Sequence, residues 1–201
     1  MDELENRLFS LPNWGYIIYR TTYTAESDTA FPRIIKYIET CLKNEFFTEV
    51  TQQPRYRNSD IPTEIWSKYQ SNIIEDPIQF DEAPLETIRA HFEAWVDSQG
   101  MRDRFNKYRV CLIIDDESFR TLKDAPVENA ESDIDELRFV KALEAFPIRD
   151  SLDTFPGWMK CWTRTLWFLW ENMGDGEEMR QLYDMIDDIP IFPGFEGVFC
   201  G

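Results

Sequence analysis

The feature that most constrains the fold is the stretch at 15–23, which has apolar or aromatic side chains on both of its alternating faces. Its sequence is Gly15-Tyr16-Ile17-Ile18-Tyr19-Arg20-Thr21-Thr22-Tyr23. β-Branched and aromatic residues of this kind suit a pleated β-strand. A strand with one solvated face would alternate apolar and polar residues, which this stretch does not do. We therefore predict an interior strand of a sheet that is covered on both faces.

Helical periodicity follows this strand and returns later in the chain. Apolar residues recur at three- and four-residue spacing across 31–46, which predicts an amphipathic helix. The regular helix should begin near Thr29, because Pro32 is tolerated only in a first turn. The same spacing predicts a second helix at 84–98.

Further strands are predicted at 108–114 and 157–163, while the spacing at 137–145 suits either a strand or a helix. Prolines interrupt 48–81, which has little regular pattern and is predicted to be an irregular insertion. Strands and helices that do not strictly alternate favour an α+β class for residues 1–201 as a single domain. We expect a mainly antiparallel sheet covered by helices, ferredoxin-like in outline, with a parallel α/β sheet as the alternative.

The charge of the chain restricts its partners. The net charge is −17, and a field of that sign repels nucleic-acid phosphates and anionic lipids. No apolar run approaches the roughly 20 residues that cross a bilayer. We therefore expect no nucleic-acid partner and no membrane association.

The cysteines indicate a compartment rather than a metal site. Cys41, Cys111, Cys161 and Cys200 form no CxxC motif and no Cys/His pair. The charged N-terminus lacks the apolar segment of a signal peptide. We therefore predict a cytoplasmic protein with reduced thiols and no metal site.

Recognisable catalytic and cofactor motifs are absent. The chain has no Walker A, GxGxxG or GxSxG sequence, so no cofactor is expected. Asp115 and Asp116 follow the strand at 108–114, where a carboxylate pair could bind a cation or perform acid–base chemistry. The favoured interpretation is a helix N-cap followed by an acidic first turn.

Arg20 is the residue of the first strand that the fold alone does not explain. A guanidinium in an interior strand must be paired or must reach solvent. An ion pair with a carboxylate is the favoured interpretation, and an anion-binding arginine is the other. In the second case Arg20 would belong to a ligand pocket with walls formed by Tyr19, Tyr23, His91 and Trp158.

Several of these segments resemble a group of uncharacterised filamentous-fungal proteins that open with a G-[FY]-x-[IV]-Y-R-x-x-Y strand. The similarity covers the strand at 15–23, the helix behind it, and the segments 109–115, 139–143 and 157–160. The last two segments look like strands in that group, so the resemblance implies a strand at 137–145. It also implies a fungal intracellular origin. It carries no known activity and transfers no catalytic residue.

Two functions are compatible with these observations. The first is a non-catalytic domain that acts through contact with a protein partner or through self-association. The second is a cofactor-independent small-molecule enzyme or ligand-binding protein of fungal secondary metabolism. An enclosed pocket at Arg20 or His91 would favour the second function. A carboxylate partner for Arg20 and an exposed apolar patch would favour the first. The sequence alone does not decide whether the protein is an enzyme.

Overall fold

Five strands and seven α-helices occur in the residues that the computed structural model describes, which are 13–102, 105–132, 138–147, 155–173, 179–184 and 191–192. The strands are β1 (Ile17–Arg20), β2 (Asn72–Ile74), β3 (Val110–Ile114), β4 (Phe139–Glu144) and β5 (Trp158–Trp162). The helices are α1 (Ala25–Gln52), α2 (Ile61–Ser67), α3 (Pro77–Phe80), α4 (Leu85–Gln99), α5 (Asp116–Leu122), α6 (Leu166–Asn172) and α7 (Met179–Asp184).

The strands form one mixed sheet in the order β2-β1-β3-β4-β5. β1 pairs in parallel with β2 and with β3, whereas β4 pairs antiparallel with β3 and with β5. The α+β class is therefore confirmed. The sheet is not mainly antiparallel, because its first half is parallel, and a ferredoxin-like arrangement is not confirmed.

The segment 48–81 explains the parallel half of the sheet. Its first residues continue α1, and it then contains α2, the edge strand β2 and α3, so it is not irregular. The chain passes from β1 through α1 to β2, and from β2 through α4 to β3, and helical crossovers of this kind join parallel strands. Pro62 and Pro77 lie at the starts of α2 and α3, where proline is tolerated.

β1 is an interior strand, as predicted, and is buried on both faces. Tyr16 and Ile18 point into the larger hydrophobic core, to which α1, α5 and α6 contribute. Ile17 and Tyr19 point into a smaller core on the opposite face, to which α3 and α4 contribute. The sheet is thus covered by helices on both faces, and β3 rather than β1 is its middle strand.

α1 begins earlier than predicted, because a capping box fixes its start. The Thr24 hydroxyl accepts a hydrogen bond from the Ser27 amide (3.1 Å), and the Ser27 hydroxyl accepts one from the Thr24 amide (2.8 Å). Pro32 therefore lies inside the helix. The expected start near Thr29 was wrong, because this cap and a buried apolar face together outweigh the one hydrogen bond that Pro32 removes.

The remaining predicted elements are confirmed with small shifts of their bounds. Within 137–145, residues 139–144 form β4, so the strand interpretation is confirmed for the described residues. β3 and β5 lie within 108–114 and 157–163, and α4 matches 84–98. No helix in the described ranges combines the length and the apolar character that crossing a bilayer requires.

The two edges of the sheet differ. Phe192 forms a bridge to β5, in which the Phe192 amide donates to the Lys160 carbonyl (3.0 Å) and the Phe192 carbonyl accepts from the Trp162 amide (3.1 Å). The outer side of β2 carries no strand in the described part of the chain. β2 is therefore the edge at which backbone groups remain open to another strand.

Candidate functional site

Arg20, at the end of β1, is paired within the protein. Its exposed fraction is only 6%. Nε donates to the Thr22 carbonyl (2.9 Å), Nη1 to the Glu75 carboxylate (3.0 Å), and Nη2 to the Ser27 hydroxyl (2.9 Å) and the Asp28 carboxylate. These contacts match the favoured interpretation of Arg20 as an ion-paired residue.

Aromatic rings cover the remaining surface of the guanidinium. Its central carbon lies 4.6 Å from the centre of the Tyr23 ring and 4.7 Å from that of Phe31. The Tyr23 hydroxyl donates to the Arg20 carbonyl and accepts from the Asp76 amide, both at 2.9 Å. Tyr23 therefore closes the space between the ends of β1 and β2 rather than lining an open pocket.

Tyr19 and His91 meet on the opposite face of the sheet. The Tyr19 hydroxyl lies 2.8 Å from Nδ1 of His91, and the rings of Phe80 and Phe92 pack edge-on against Tyr19. Burial raises the pKa of the Tyr19 phenol far above its ordinary value, so this hydroxyl stays protonated at neutral pH. Because consecutive strand residues face opposite ways, Tyr19 and Arg20 do not share a pocket.

Trp158 lies well away from the part of the predicted pocket that β1 forms. It begins β5, which is three strands from β1, a separation of about 14 Å at ~4.8 Å per strand. The structure therefore brings Tyr19 to His91 and Arg20 to Tyr23, and it leaves Trp158 apart from both pairs.

Asp115 and Asp116 do not form a carboxylate pair. Oδ1 of Asp115 accepts a hydrogen bond from the Ser118 amide (2.9 Å), which makes Asp115 the N-cap of α5. Asp116 instead forms an exposed ion pair with Arg120. Within the described ranges, no three Asp, Glu, His or Cys side chains converge in a way that could hold a metal ion.

A cluster that the sequence analysis missed lies on the outer half of the sheet. Lys141 of β4 and Lys160 of β5 are directly opposite each other. Glu117 of α5 joins them, with Oε2 at 3.1 Å from Nζ of Lys141 and Oε1 accepting from Nζ of Lys160. Oδ2 of Asp115 also accepts from Nζ of Lys141. We call these four residues the dilysine cluster.

The charges of the dilysine cluster stabilise one another. The hydrogen bond from Lys160 is the main reason that the pKa of Glu117 lies below its ordinary value. Burial disfavours the cation of Lys141, but its contacts with Asp115 and Glu117 outweigh burial and raise its pKa. Lys141 therefore stays a cation at neutral pH.

Aromatic residues flank the dilysine cluster. The cross-strand partners on either side of the lysines are Phe139 with Trp162 and Leu143 with Trp158. Nζ of Lys160 lies 4.8 Å from the centre of the Phe139 ring, and Nζ of Lys141 lies 5.4 Å from that of Trp158. The sequence contained one signal for this cluster. In each of the two strands, the lysine has an aromatic or aliphatic residue two positions away on both sides.

The edge of β2 is the second surface that the sequence analysis missed. The Asn72 amide donates to the Tyr16 carbonyl (2.9 Å). In a parallel pair the same residue turns both its amide and its carbonyl toward the neighbouring strand, so the amide and carbonyl of Ile73 point away from β1. Ile78, four residues beyond β2, is 98% exposed.

The chain around the edge of β2 is acidic. Residues 75–86 contain no basic residue and five acidic ones, which are Glu75, Asp76, Asp81, Glu82 and Glu86. Three of these have structural contacts, since Glu75 pairs with Arg20, Glu86 pairs with Arg89, and Asp76 caps α3. Asp81 and Glu82 are exposed. The segment that directly follows β2 therefore has an excess of negative charge.

A surface cavity of about 580 Å³ lies between α1 and the segment that follows α5. It is lined by Arg33, Lys36, Pro126, Val127 and Glu128. None of the five residues of the predicted ligand pocket contributes to it. The Arg33 guanidinium already donates to the Ala125 carbonyl at 2.8 Å, so this cavity offers little unpaired charge to a ligand.

Comparisons with protein-family models, with curated proteins and with solved structures found no match for this chain. What its surfaces bind is therefore argued from the chemistry of its own residues.

Proposed function

We propose that this protein is a non-catalytic binding domain that takes an extended, basic segment of a partner protein onto the edge of β2. The observation that carries this proposal is the orientation of Ile73, whose amide and carbonyl point away from β1 at an edge with no further strand in the described residues. Extended segments bind to such edges through main-chain hydrogen bonds.

The chemistry next to the edge selects the occupant. Ile73 and Ile74 are half-buried and Ile78 is almost fully exposed, so aliphatic side chains of a partner have surfaces to contact. Of the five acidic residues at 75–86, Glu75 and Glu86 pair with arginines of the protein, and the other three attract a positively charged segment. A second copy of the chain would bring the same negative charge, which disfavours self-association at this edge. A segment that alternates lysine or arginine with valine or isoleucine matches both features.

The alternative, a cofactor-independent small-molecule enzyme or binding protein, has weaker support. Its pocket depended on an available guanidinium, whereas the Arg20 guanidinium contacts Asp28 and Glu75. Tyr19 and His91 form a contact on the other face of the sheet, away from Arg20. We infer a binding role rather than a catalytic one on these grounds.

We also infer that the protein resides in a reducing compartment such as the cytoplasm. Cys111 and Cys161 are free and buried, which is the usual state of cysteines in reducing compartments. Separation of a cell lysate into compartments, with detection by an antibody, tests this inference. Recovery from the secreted fraction with a disulfide would contradict it.

The binding proposal is tested with short synthetic peptides in which lysine alternates with valine, compared with peptides in which glutamate replaces lysine. We expect the lysine peptides to bind and the glutamate peptides not to bind. Because any acidic protein attracts lysine peptides, a backbone test is needed as well. Ile73→Pro removes the outward amide, and Ile73→Ala removes similar side-chain contacts but keeps that amide.

We expect Ile73→Pro to bind the lysine peptide about tenfold more weakly than Ile73→Ala, because a main-chain hydrogen bond is lost. Equal affinities of the two variants would mean that the peptide is held by charge alone, and the proposal would then fail. Sedimentation of the free protein gives a second check. A dimer that Ile73→Pro dissociates would identify a second copy of the chain as the occupant and overturn the choice of a basic partner.

A further inference from the structure

We propose that Lys141 and Lys160 form a binding site for the carboxylate of an aromatic acid, and that Glu117 occupies this site until the ligand displaces it. The site lies on β4 and β5, and the edge strand β2 is at the opposite end of the sheet. This inference is therefore independent of the proposed binding of a basic segment.

The two lysines are an unusual pair for a sheet. Like charges on directly opposite residues of neighbouring strands destabilise the pairing. Here the Glu117 carboxylate offsets that repulsion by giving one oxygen to each lysine. A carboxylate that spans two fixed ammonium groups is the contact that an external carboxylate would make in the same place.

The exposed fractions of the side chains indicate which residue of the dilysine cluster can move away from the others. The side chains of Lys141 and Lys160 are 13% and 21% exposed, whereas that of Glu117 is 49% exposed. Asp115 is held by its cap contact with the Ser118 amide, and Glu117 has no such role in the cap of α5. Rotation of the Glu117 side chain into solvent therefore uncovers both lysines without unfolding α5.

Charge determines the class of ligand. With Glu117 rotated away, Asp115 balances one of the two lysines, so the site carries one net positive charge. A ligand with one negative charge restores neutrality, whereas a cation or a neutral molecule does not replace the negative charge of Glu117. The raised pKa of Lys141 keeps its amine protonated, so Lys141 binds the anion and does not attack it as a nucleophile.

The flanking residues favour a flat apolar body attached to the carboxylate. Phe139, Trp158 and Trp162 lie on the same sheet face as the lysines, because they are two residues from them along each strand. Both tryptophans are partly exposed. In the described part of the chain, Nε1 of Trp162 is buried and has no hydrogen-bond acceptor. The face thus supplies aromatic contacts and one further unused donor.

The test is a titration with benzoate, followed by tryptophan fluorescence and by NMR of backbone amides. Acetate serves as the control for the ring, and benzyl alcohol as the control for the charge. We expect benzoate to bind more tightly than either control. Glu117→Ala should bind benzoate about tenfold more tightly than the unmodified protein, because the internal competitor is gone. Lys160→Met should abolish saturable binding.

Two further variants serve as a control for charge removal and as a substitute for Glu117→Ala. Lys36→Met removes an exposed lysine of α1 and should leave benzoate binding unchanged. If Glu117→Ala proves unfolded by circular dichroism, Glu117→Asp replaces it, since its shorter side chain cannot span both lysines and should also strengthen benzoate binding. The proposal is overturned if benzyl alcohol binds as tightly as benzoate, if removing or shortening Glu117 does not strengthen binding, or if Lys160→Met binds normally.

Discussion

Arg20 and Glu75 are joined by an ion pair of 3.0 Å that fastens the last residue of β1 to the residue after β2. The same guanidinium contacts Asp28 in the first turn of α1. A single side chain thus connects the two parallel strands and the helix that lies between them in sequence. Its planar group makes these contacts in several directions at once, which an ammonium group does not do in the same geometry.

Replacement of Arg20 by lysine should therefore destabilise the protein strongly. We expect the free energy of unfolding to fall by about 2–4 kcal/mol, because the buried Thr22 carbonyl and Ser27 hydroxyl each lose a donor. Urea denaturation followed by fluorescence measures this change. Lys36→Met is the control, since its ion pair with Glu39 is largely exposed and should contribute less than about 0.5 kcal/mol. A loss below about 1 kcal/mol for Arg20→Lys would show that the cluster is not important for stability.

Gly15 should not tolerate a side chain. Its φ is +130°, and a Cβ atom there would lie 2.6 Å from the Gln70 carbonyl oxygen. We expect Gly15→Ala to lose at least about 3 kcal/mol of stability or to fail to fold. Gly100 is the matched control, because its φ is +61° but no atom lies within 4 Å of its added Cβ. Gly100→Ala should cost only about 1 kcal/mol, and similar melting temperatures for the two variants would contradict this account.

The dilysine cluster should make stability depend on pH through Glu117. Because its hydrogen bond with Lys160 lowers the pKa of Glu117 in the folded protein, the ionised side chain stabilises the fold. That contribution is complete above the ordinary pKa of 4.5 and disappears as the pH falls through the lower folded value. The Glu117 side chain is half-exposed, so the contribution should stay below about 1 kcal/mol.

The measurement is the difference in unfolding free energy between the unmodified protein and Glu117→Gln, taken from pH 7 down to pH 3. We expect a positive difference at pH 7 that vanishes in acid. In a Lys160→Met background the difference at pH 7 should be smaller, because one of the two partners of Glu117 is missing. A difference that grows on acidification would have the opposite sign and would refute the assignment.

The buried cysteines should be chemically inert in the native protein. Burial raises the pKa of Cys161 to about 12 and that of Cys111 above its ordinary value, so neither forms the reactive thiolate near neutral pH. We expect iodoacetamide at pH 8 to leave Cys41, Cys111 and Cys161 unmodified until denaturant is added. Mass spectrometry of tryptic peptides reads each site separately. Rapid labelling of any of the three in the native protein would show that its surroundings open readily.

Strands with a long local sequence pattern could be predicted, whereas a strand that depends on tertiary pairing could not. β1 and β3 were predictable because long runs of β-branched and aromatic residues leave few alternatives. β2 was not, since Asn72–Ile74 is too short for any periodicity and lies between prolines. Because β2 was not predicted, the parallel half of the sheet was not predicted either.

The candidate sites likewise combine features that a local sequence pattern predicts with features that it does not. The pairing of Arg20 followed from the energetic cost of burying a guanidinium, but its partner Glu75 is 55 residues away and no local pattern indicates it. Lys141 and Lys160 were each visible at the centre of a strand segment. Their apposition depends on the register between β4 and β5, which the sequence of either strand alone does not determine.

The contact of Phe192 with β5 has a consequence for assembly. It occupies the Lys160 carbonyl and the Trp162 amide on the outer side of β5 with the chain's own backbone, whereas no strand in the described residues pairs with the outer side of β2. A bound segment would itself become the new outermost strand at the β2 end. The two ends of this sheet therefore offer different backbone groups to another chain, because one of them already carries a bridge to the protein's own backbone.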